Sequence, residues 1–131
     1  YGTKPVHTCS EIIQLKCLFP DNIQLYSVYK NDKMVAGTVI FESENVAHSQ
    51  YISADEDRNT LGSLDSLHFH LINNVYKHKL FFDFGNSNIN DGKQINKGLQ
   101  SWKEGFGART ITQNFYEVEV KNLNLLETVF I

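Results

Sequence analysis

The chain has 131 residues and a mass of 15.0 kDa, which corresponds to one domain by length. Its hydrophobic content of 41% and charged content of 21% are ordinary for a soluble globular domain, and no apolar run approaches the roughly 20 residues of a membrane span. The net charge is -3, and lysine and arginine are scattered along the chain. Duplex nucleic acid is therefore not expected as a partner, because binding it requires clustered positive charge.

Neither the cysteines nor the histidines predict a metal site. Cys9 and Cys17 lack metal-ligand spacing, which favours reduced thiols and a cytoplasmic setting. A disulfide between them is the alternative, but on one helix they lie too far apart to bond. His68 and His70 are two apart on a predicted helix and point away from each other. The chain starts at Tyr1 with no methionine and no visible signal peptide, so we expect a piece of a longer protein.

The first half of the chain predicts one helix followed by three antiparallel strands. A helical pattern over residues 7–18 begins near Ser10 and stops at Pro20. Beyond it, strand-like residues occur in three runs, and Asn31 and Asp32 supply the turn of a hairpin between the first two. The predicted strands are residues 23–29, 34–41 and 46–54.

The middle of the chain predicts a helix between two strands. After a polar loop, a stripe of apolar residues indicates a long helix from Ser63 to Lys77, with Ser63 as its N-cap. An apolar strand follows over residues 80–84. Because a helix separates it from the strand over residues 46–54, the two strands should pair in parallel. A site is expected at their C-terminal ends.

The last part of the chain predicts a loop, a helix and further strand. Residues 86–93 are polar and read as a loop, and residues 95–104 form a helix with Trp102 facing inward. An alternating run over residues 109–120 indicates a final strand, and the tail over residues 123–131 offers one more. The predicted fold class is α/β (α+β), with a mixed, mostly antiparallel sheet, helices on both faces and a parallel strand pair at the site.

Asp83, His48 and Lys103 are the candidate catalytic residues. Asp83 ends an aromatic strand, where an unpaired carboxylate would be costly to bury, so it requires a partner such as His48 or Lys103. A site carboxylate and a structural ion pair or loop cap are both open interpretations. His48 can act as a general base, since imidazole exchanges protons near neutral pH, or as a structural histidine. Lys103 either belongs to the site or complements the dipole of its helix.

Four further polar residues are candidates for substrate binding. Gln50 and Tyr51 are neighbours on a strand and point to opposite faces, so at most one lines a given side of the site. Asn86 follows a strand end, where its side chain can hold substrate or form a turn. Asn96 either reaches the same cleft or caps the next helix.

Four short motifs follow one another between residues 48 and 107. They are His48-Ser-Gln-Tyr-Ile52, the run from Leu61 to Leu67, Phe82-Asp-Phe-Gly85 and Trp102-Lys-Glu-Gly-Phe-Gly107. Their order and spacing resemble the GNAT superfamily of N-acyltransferases, and most closely the GNAT-like domains related to Fem-type aminoacyl and peptidyl transferases. The resemblance implies a GNAT-like acyltransferase fold in a single domain over residues 1–131, which would be the C-terminal half of a tandem pair.

By this resemblance, the chain transfers an acetyl, other acyl or aminoacyl group to an amine. Lys103 would stabilise charge on the acyl carbonyl, and Arg58, Gly62 and Ser63 would lie where the family holds the diphosphate of coenzyme A. The implied donor is acetyl-CoA or another acyl-CoA, with aminoacyl-tRNA as the alternative. The implied acceptor is a small-molecule, glycan or peptide amine, such as a bacterial cell-envelope or polysaccharide precursor. A preceding GNAT-like domain of the same chain is the implied partner.

Two departures from the family pattern leave a non-catalytic alternative open. Gly62 lies one residue later after Arg58 than the family's phosphate-binding pattern places it, and three acidic residues at 55–57 precede them. Ser101 stands where many of these enzymes have a tyrosine that serves as general acid. The alternative is a degenerate half-domain that only shapes an acceptor pocket or a domain interface.

Overall fold

A computed structural model of the chain describes residues 5–56 and 58–117, with the side chains of residues 58 and 59 left aside. The elements in chain order are α1 (Cys9–Leu18), β1 (Ile23–Lys30), β2 (Lys33–Glu42), β3 (Val46–Ala54), α2 (Arg58–Leu61), α3 (Ser63–His70), a π-helical turn (Leu71–Val75), β4 (Phe81–Asp83), β5 (Asn88–Ile89), β6 (Gln94–Ile95) and α4 (Lys97–Gly105).

The first four strands form one mixed sheet in the order β1-β2-β3-β4. Neighbours pair antiparallel except for β3 and β4, which are parallel, so the predicted hairpin and the predicted parallel pair are both confirmed. The parallel pair is short, because it begins at Val46 opposite Phe81 and ends at His48 opposite Asp83. Beyond that point β3 continues to Ala54, whereas β4 has ended. The predicted fold class is confirmed.

The two faces of the sheet carry different helices. One side, which we term the core face, packs against α3 and the π-helical turn. Its buried cluster consists of Ala36, Ile40, Ala47, Leu64, Leu67, Leu71 and Tyr76. The other side, which we term the open face, carries α1, none of whose residues is buried. Since Ala47 belongs to the core face, its neighbour His48 lies on the open face.

A β-bulge breaks the alternation of β3. Val39 of β2 pairs with Tyr51, but the next residue, Ile40, pairs with Ser49, so Gln50 is an extra residue in β3. A bulge of this kind changes the direction of the side chains that follow it. Residues 48 and 51 therefore share the open face although they are three apart, and the prediction that Gln50 and Tyr51 point to opposite faces is wrong.

Helix α1 begins at a different cap from the predicted one. Thr8, and not Ser10, is the N-cap. Its hydroxyl accepts from the Glu11 N–H at 3.3 Å, and its own N–H donates to the Glu11 carboxylate at 2.7 Å. That N–H donor holds the pKa of the Glu11 carboxyl below its usual value. This reciprocal arrangement is a capping box, and it outweighs the weaker Ser10 signal.

The part of the chain after β3 departs from the sequence-based prediction in several places. The expected long helix ends in a π-helical turn at Val75, and the expected polar loop contains α2. Residues 86–93 are not wholly a loop, because β5 and β6 form a small hairpin around Asn90 and Asp91, both at positive φ. Helix α4 begins at Lys97, two residues later than expected.

The predicted final strand is not found in its described part. Residues 109–117 have no regular secondary structure and are exposed. Alternation indicates a strand only where a neighbouring strand supplies hydrogen bonds, and among the described residues no strand pairs with this run. The remainder of that strand, and the tail over residues 123–131, lie outside the described residues.

Candidate active site

The site begins with the last residue pair of the parallel strands. His48 and Asp83 are directly opposite each other on the open face, and the His48 Nδ1 donates to Asp83 Oδ2 at 2.7 Å. The His48 and Asp83 side chains are 31% and 52% exposed, so both can be reached by a substrate. An imidazole held by a carboxylate through Nδ1 presents Nε2 for proton transfer. The structure brings these two predicted residues into direct contact.

The turn after β4 holds the carboxylate from its other side. Gly85 N–H donates to Asp83 Oδ1 at 2.8 Å, so both carboxylate oxygens are engaged. Gly85 has a φ of 67°, which favours glycine. A Cβ at this position would lie 3.4 Å from His48 Cε1. The glycine therefore supplies both the backbone turn and the room for the imidazole.

Lys103 reaches the same turn from α4. Its Nζ donates to the carbonyl oxygens of Gly85 at 2.9 Å and Asn86 at 2.6 Å. The residue is only 7% exposed. Burial lowers the pKa of the Lys103 ammonium, and the negative charge of Asp83 acts in the opposite direction. Lys103 is thus joined to the His48 and Asp83 pair through the Gly85 backbone, without a direct contact.

Gln50 and Tyr51 have different partners on the open face. Gln50 Oε1 lies 2.9 Å from His48 Nε2, so the bulge places this amide on the nitrogen that faces away from Asp83. The Tyr51 hydroxyl lies 2.6 Å from His7 Nδ1, in the segment that leads into α1. Gln50 therefore belongs to the site, whereas Tyr51 ties α1 to the sheet.

The two predicted asparagines take up backbone roles. Asn86 contributes its carbonyl oxygen to Lys103, while the residue is exposed. Asn96 is the N-cap of α4, and its Oδ1 accepts from Leu99 N–H at 3.0 Å. Of the two open interpretations of Asn96, the helix cap is the one observed.

Sequence reasoning missed an apolar groove on the open face. It has a volume of about 610 Å³ and reaches His48 at one end. Its apolar walls are formed by Leu15, Phe19, Ile23, Phe41 and Val46. These residues come from four separate elements and form no motif, so only their assembly around the sheet reveals them.

A mixed sheet whose parallel pair ends at an imidazole and a carboxylate, with helices on both faces, is an α/β domain consistent with the GNAT fold. The model of the Acetyltransferase (GNAT) domain matches residues 14–104, more than half of the chain, and the chain belongs to this family. A search of the curated proteins found no match. The narrower relationship to Fem-type transferases stays a prediction.

Residues 5–56 and 58–117 contain neither a membrane-spanning helix nor a metal-binding cluster. No helix there combines the length and apolar character needed to cross a membrane. In the same part of the chain, no group of three or more histidine, cysteine, aspartate or glutamate side chains could hold a metal ion.

The start of α3 carries two of the residues that the family resemblance assigns to an acyl-CoA diphosphate, Gly62 and Ser63. Gly62, at a φ of 56°, is the N-cap, so the prediction that Ser63 caps the helix is wrong. Within the described part of the chain, the buried Ser63 Oγ has no hydrogen-bond partner. An unpaired hydroxyl and a helix N-terminus both suit an anion. Arg58 opens α2, but its side chain lies outside the described part.

The acidic loop before α2 is less repulsive to an anion than its sequence indicates. Asp55 forms an ion pair with Lys33 of β2. This lysine lowers the pKa of the Asp55 carboxyl, and so does the Glu56 N–H. This ion pair reduces the repulsion that Asp55, one of the three acidic residues at 55–57, would exert on a diphosphate near the start of α3.

Proposed function

We propose that this GNAT domain is an N-acyltransferase that moves an acyl group from a thioester to a primary amine, with His48 as the general base. The observation that carries the proposal is the 2.7 Å contact between His48 Nδ1 and Asp83 Oδ2, at the point where the pairing of β3 and β4 ends. Polar groups at the carboxyl ends of parallel strands are where α/β proteins bind their ligands.

The proposed reaction needs one proton acceptor. The nitrogen of the neutral amine attacks the thioester carbonyl carbon, which forms the C–N bond and leaves negative charge on the carbonyl oxygen. His48 Nε2 takes the proton from that nitrogen, and Asp83 stabilises the resulting imidazolium. The C–S bond then breaks, and the thiolate takes up the proton, so that the products are an amide and a thiol.

Gln50 suits both protonation states of His48. Its amide oxygen faces Nε2 at 2.9 Å, which fits the imidazolium. When Nε2 has no proton, the same amide can present its NH₂ group by turning over, because a glutamine offers a donor and an acceptor at similar positions. We propose that Gln50 keeps the imidazole in place and withdraws from Nε2 when the amine binds.

Lys103 is proposed to act through position and charge. Its two hydrogen bonds hold the carbonyls of Gly85 and Asn86, which fixes the turn that supports Asp83. A cation in a partly buried position also stabilises negative charge developing on an acyl oxygen nearby. This is the role that the family resemblance implies for the residue.

The proposed donor is acetyl-CoA or another acyl-CoA, and aminoacyl-tRNA is the alternative. The unpaired Ser63 hydroxyl and the N-terminus of α3 support the first. When bound, coenzyme A would supply the thioester carbonyl and the thiol leaving group. The proposed acceptor is the amine of a small molecule, a glycan or a peptide.

The test is acyl transfer by matched histidine variants of the full chain. Release of free thiol from acetyl-CoA is measured with a panel of primary amines. We expect His48→Ala to reduce kcat by on the order of 10²–10⁴, the usual contribution of a general base. His70→Ala, at an exposed position of α3 away from the site, should keep the wild-type rate. Equal rates for wild type and His48→Ala would exclude the proposed role.

A non-catalytic domain is the second candidate, and the residue at position 101 favours it. Ser101 is exposed on α4, and its hydroxyl is a much weaker acid than a phenol. Thermal unfolding with coenzyme A and acetyl-CoA separates the candidates, because a ligand that binds the folded state raises Tm. A rise together with amine-dependent thiol release supports the enzyme, whereas neither effect supports the domain that only shapes a pocket.

A further inference from the structure

We propose that the acceptor amine carries an apolar substituent, aromatic or branched aliphatic, which binds in the apolar groove that ends at His48. The inference rests on the proposed acyltransferase function and names its acceptor class. The groove volume of about 610 Å³ lies within the range of small-molecule sites.

The walls of the groove offer apolar contacts that a ligand can reach. Leu15 and Phe19 come from α1 and its C-cap, and Phe41 and Val46 come from the facing ends of β2 and β3. Phe19 is 52% exposed, so its ring is available to a ligand. Covering such surface with an aromatic or branched group removes apolar area from water, which favours binding.

The polar groups of the groove rim are already paired. Glu42 Oε1 lies 3.0 Å from Lys79 Nζ, and Lys79 also donates to the carbonyls of Ser43 at 2.6 Å and Glu44 at 3.2 Å. Asn22 Nδ2 donates to the Glu42 carbonyl at 2.8 Å. A sugar with many hydroxyls would lose water here without regaining hydrogen bonds, which disfavours it.

The position of the groove assigns it to the acceptor and not to the acyl donor. Its walls include Val46, on the amino side of His48 along β3. The pairing of β3 with β4 ends on the other side, after the pair formed by His48 and Asp83. His48 therefore has the groove on one side and the end of the paired strands on the other. A donor held beyond the end of the paired strands leaves the groove for the molecule whose amine approaches His48.

The experiment compares three amines and two phenylalanine variants of the full chain. We expect 2-phenylethylamine to be acylated with a higher kcat/KM than glucosamine or methylamine. Phe19→Ala should raise KM for 2-phenylethylamine by about 10- to 200-fold, the usual discrimination for an apolar contact. It should leave kcat within about twofold and KM for methylamine unchanged. Phe69→Ala, on α3 outside the groove and 61% exposed, is the matched control.

The outcomes separate this inference from the function on which it rests. If glucosamine is acylated at least as well as 2-phenylethylamine, or if Phe19→Ala behaves like Phe69→Ala, the inference is wrong while acyl transfer stands. If no amine is acylated, binding of the unreactive 2-phenylethanol is measured by NMR titration. Binding that is weakened by Phe19→Ala then supports an apolar ligand site, and no binding overturns it.

Discussion

His48 is a residue of β3 and lies on the open face, whereas His68 contacts Ser49 of the same strand on the core face. The two rings differ in their exposure and in their hydrogen-bond partners. His48 lies on the open face and bonds to a carboxylate and an amide, with its side chain 31% exposed. His68 reaches the core face from α3 and is fully buried. Its ring is packed among aromatic side chains, namely Phe82, Phe84, Trp102 and Phe106. One histidine is open to a substrate, whereas the other belongs to the core.

The surroundings of His68 favour its neutral form. Its Nδ1 donates to the Leu64 carbonyl at 2.9 Å, and Nε2 lies 3.3 Å from Ser49 Oγ, from which a neutral ring accepts. In that state Thr38 Oγ1, which lies 2.9 Å from Ser49 Oγ, donates to Ser49. Burial lowers the pKa of His68, which favours the same neutral form. The side of the sheet on which each histidine lies therefore determines whether a ligand can reach its ring: His48 is accessible on the open face, and His68 is buried on the core face.

The largest expected effect is on the stability of the core face. Leu71→Ala removes a fully buried side chain and should lower the free energy of unfolding by about 2–5 kcal/mol. Phe69→Ala removes a larger but 61% exposed side chain from the adjacent helix and should have a much smaller effect. Urea unfolding followed by circular dichroism measures both. Similar losses would show that Leu71 is not packed more tightly than Phe69 within the layer that covers the core face.

The next effect separates chemistry from stability on the open face. Asp83→Asn should lower kcat for acyl transfer on the order of 100-fold, because an amide no longer stabilises the imidazolium. The free energy of unfolding should change little, since the Asp83 side chain is 52% exposed. Steady-state kinetics and urea unfolding check the two parts. Asp91→Asn, in the exposed turn between β5 and β6, is the control, and equal kinetics for both variants would contradict the proposed pair.

A pH experiment tests the neutral state of His68. On unfolding, its pKa returns from a lowered value to the usual 6.5. Between pH 6.5 and the lower pKa of the folded state, the unfolded chain therefore binds more protons than the folded chain. The free energy of unfolding falls as the pH is lowered through this range. His68→Gln should flatten this decline in urea titrations, whereas the exposed variant His78→Gln should retain it. An unchanged slope in His68→Gln would show that the buried ring is not the group responsible.

The smallest effect concerns the start of α1. Thr8→Ala removes the cap and should lower the free energy of unfolding by about 1 kcal/mol. Ser10→Ala, inside the helix, should change it by less than half as much. Because α1 forms one wall of the groove, Thr8→Ala should also raise KM for 2-phenylethylamine slightly. Equal losses of the free energy of unfolding in urea for the two variants would contradict the assignment of Thr8, and not Ser10, as the N-cap.

Much of the fold could be read from the sequence, where local signals agree with the tertiary structure. Asn31 and Asp32 both adopt positive φ in the predicted hairpin turn. The same dipeptide at Asn90 and Asp91 carries the same signal and forms a second hairpin. Its strands are only two residues long, too short for the sequence pattern to distinguish them from a loop. The predicted strand over residues 109–120 shows the opposite case, since alternation without a paired neighbour does not make a strand.

The site was predictable in its residues but not in its connections. The need to pair Asp83 pointed to His48, because a carboxylate among aromatic residues requires a partner. No residue pattern in β3 predicts the bulge that brings Gln50 to the imidazole. It also could not show that Lys103 binds two backbone carbonyls, because that contact depends on the turn at Gly85.

The hydrogen bond between Ser49 and His68 also limits how β3 can slide along its neighbour. A slip of one residue exchanges the two faces of a strand. His48 would then enter the aromatic core, and Ser49 would face the groove. Thr38 and His68 oppose this slip, because Ser49 alone supplies a hydroxyl that fits between them. The buried contact between Ser49 and His68 on the core face thus keeps His48 on the open face, next to the groove.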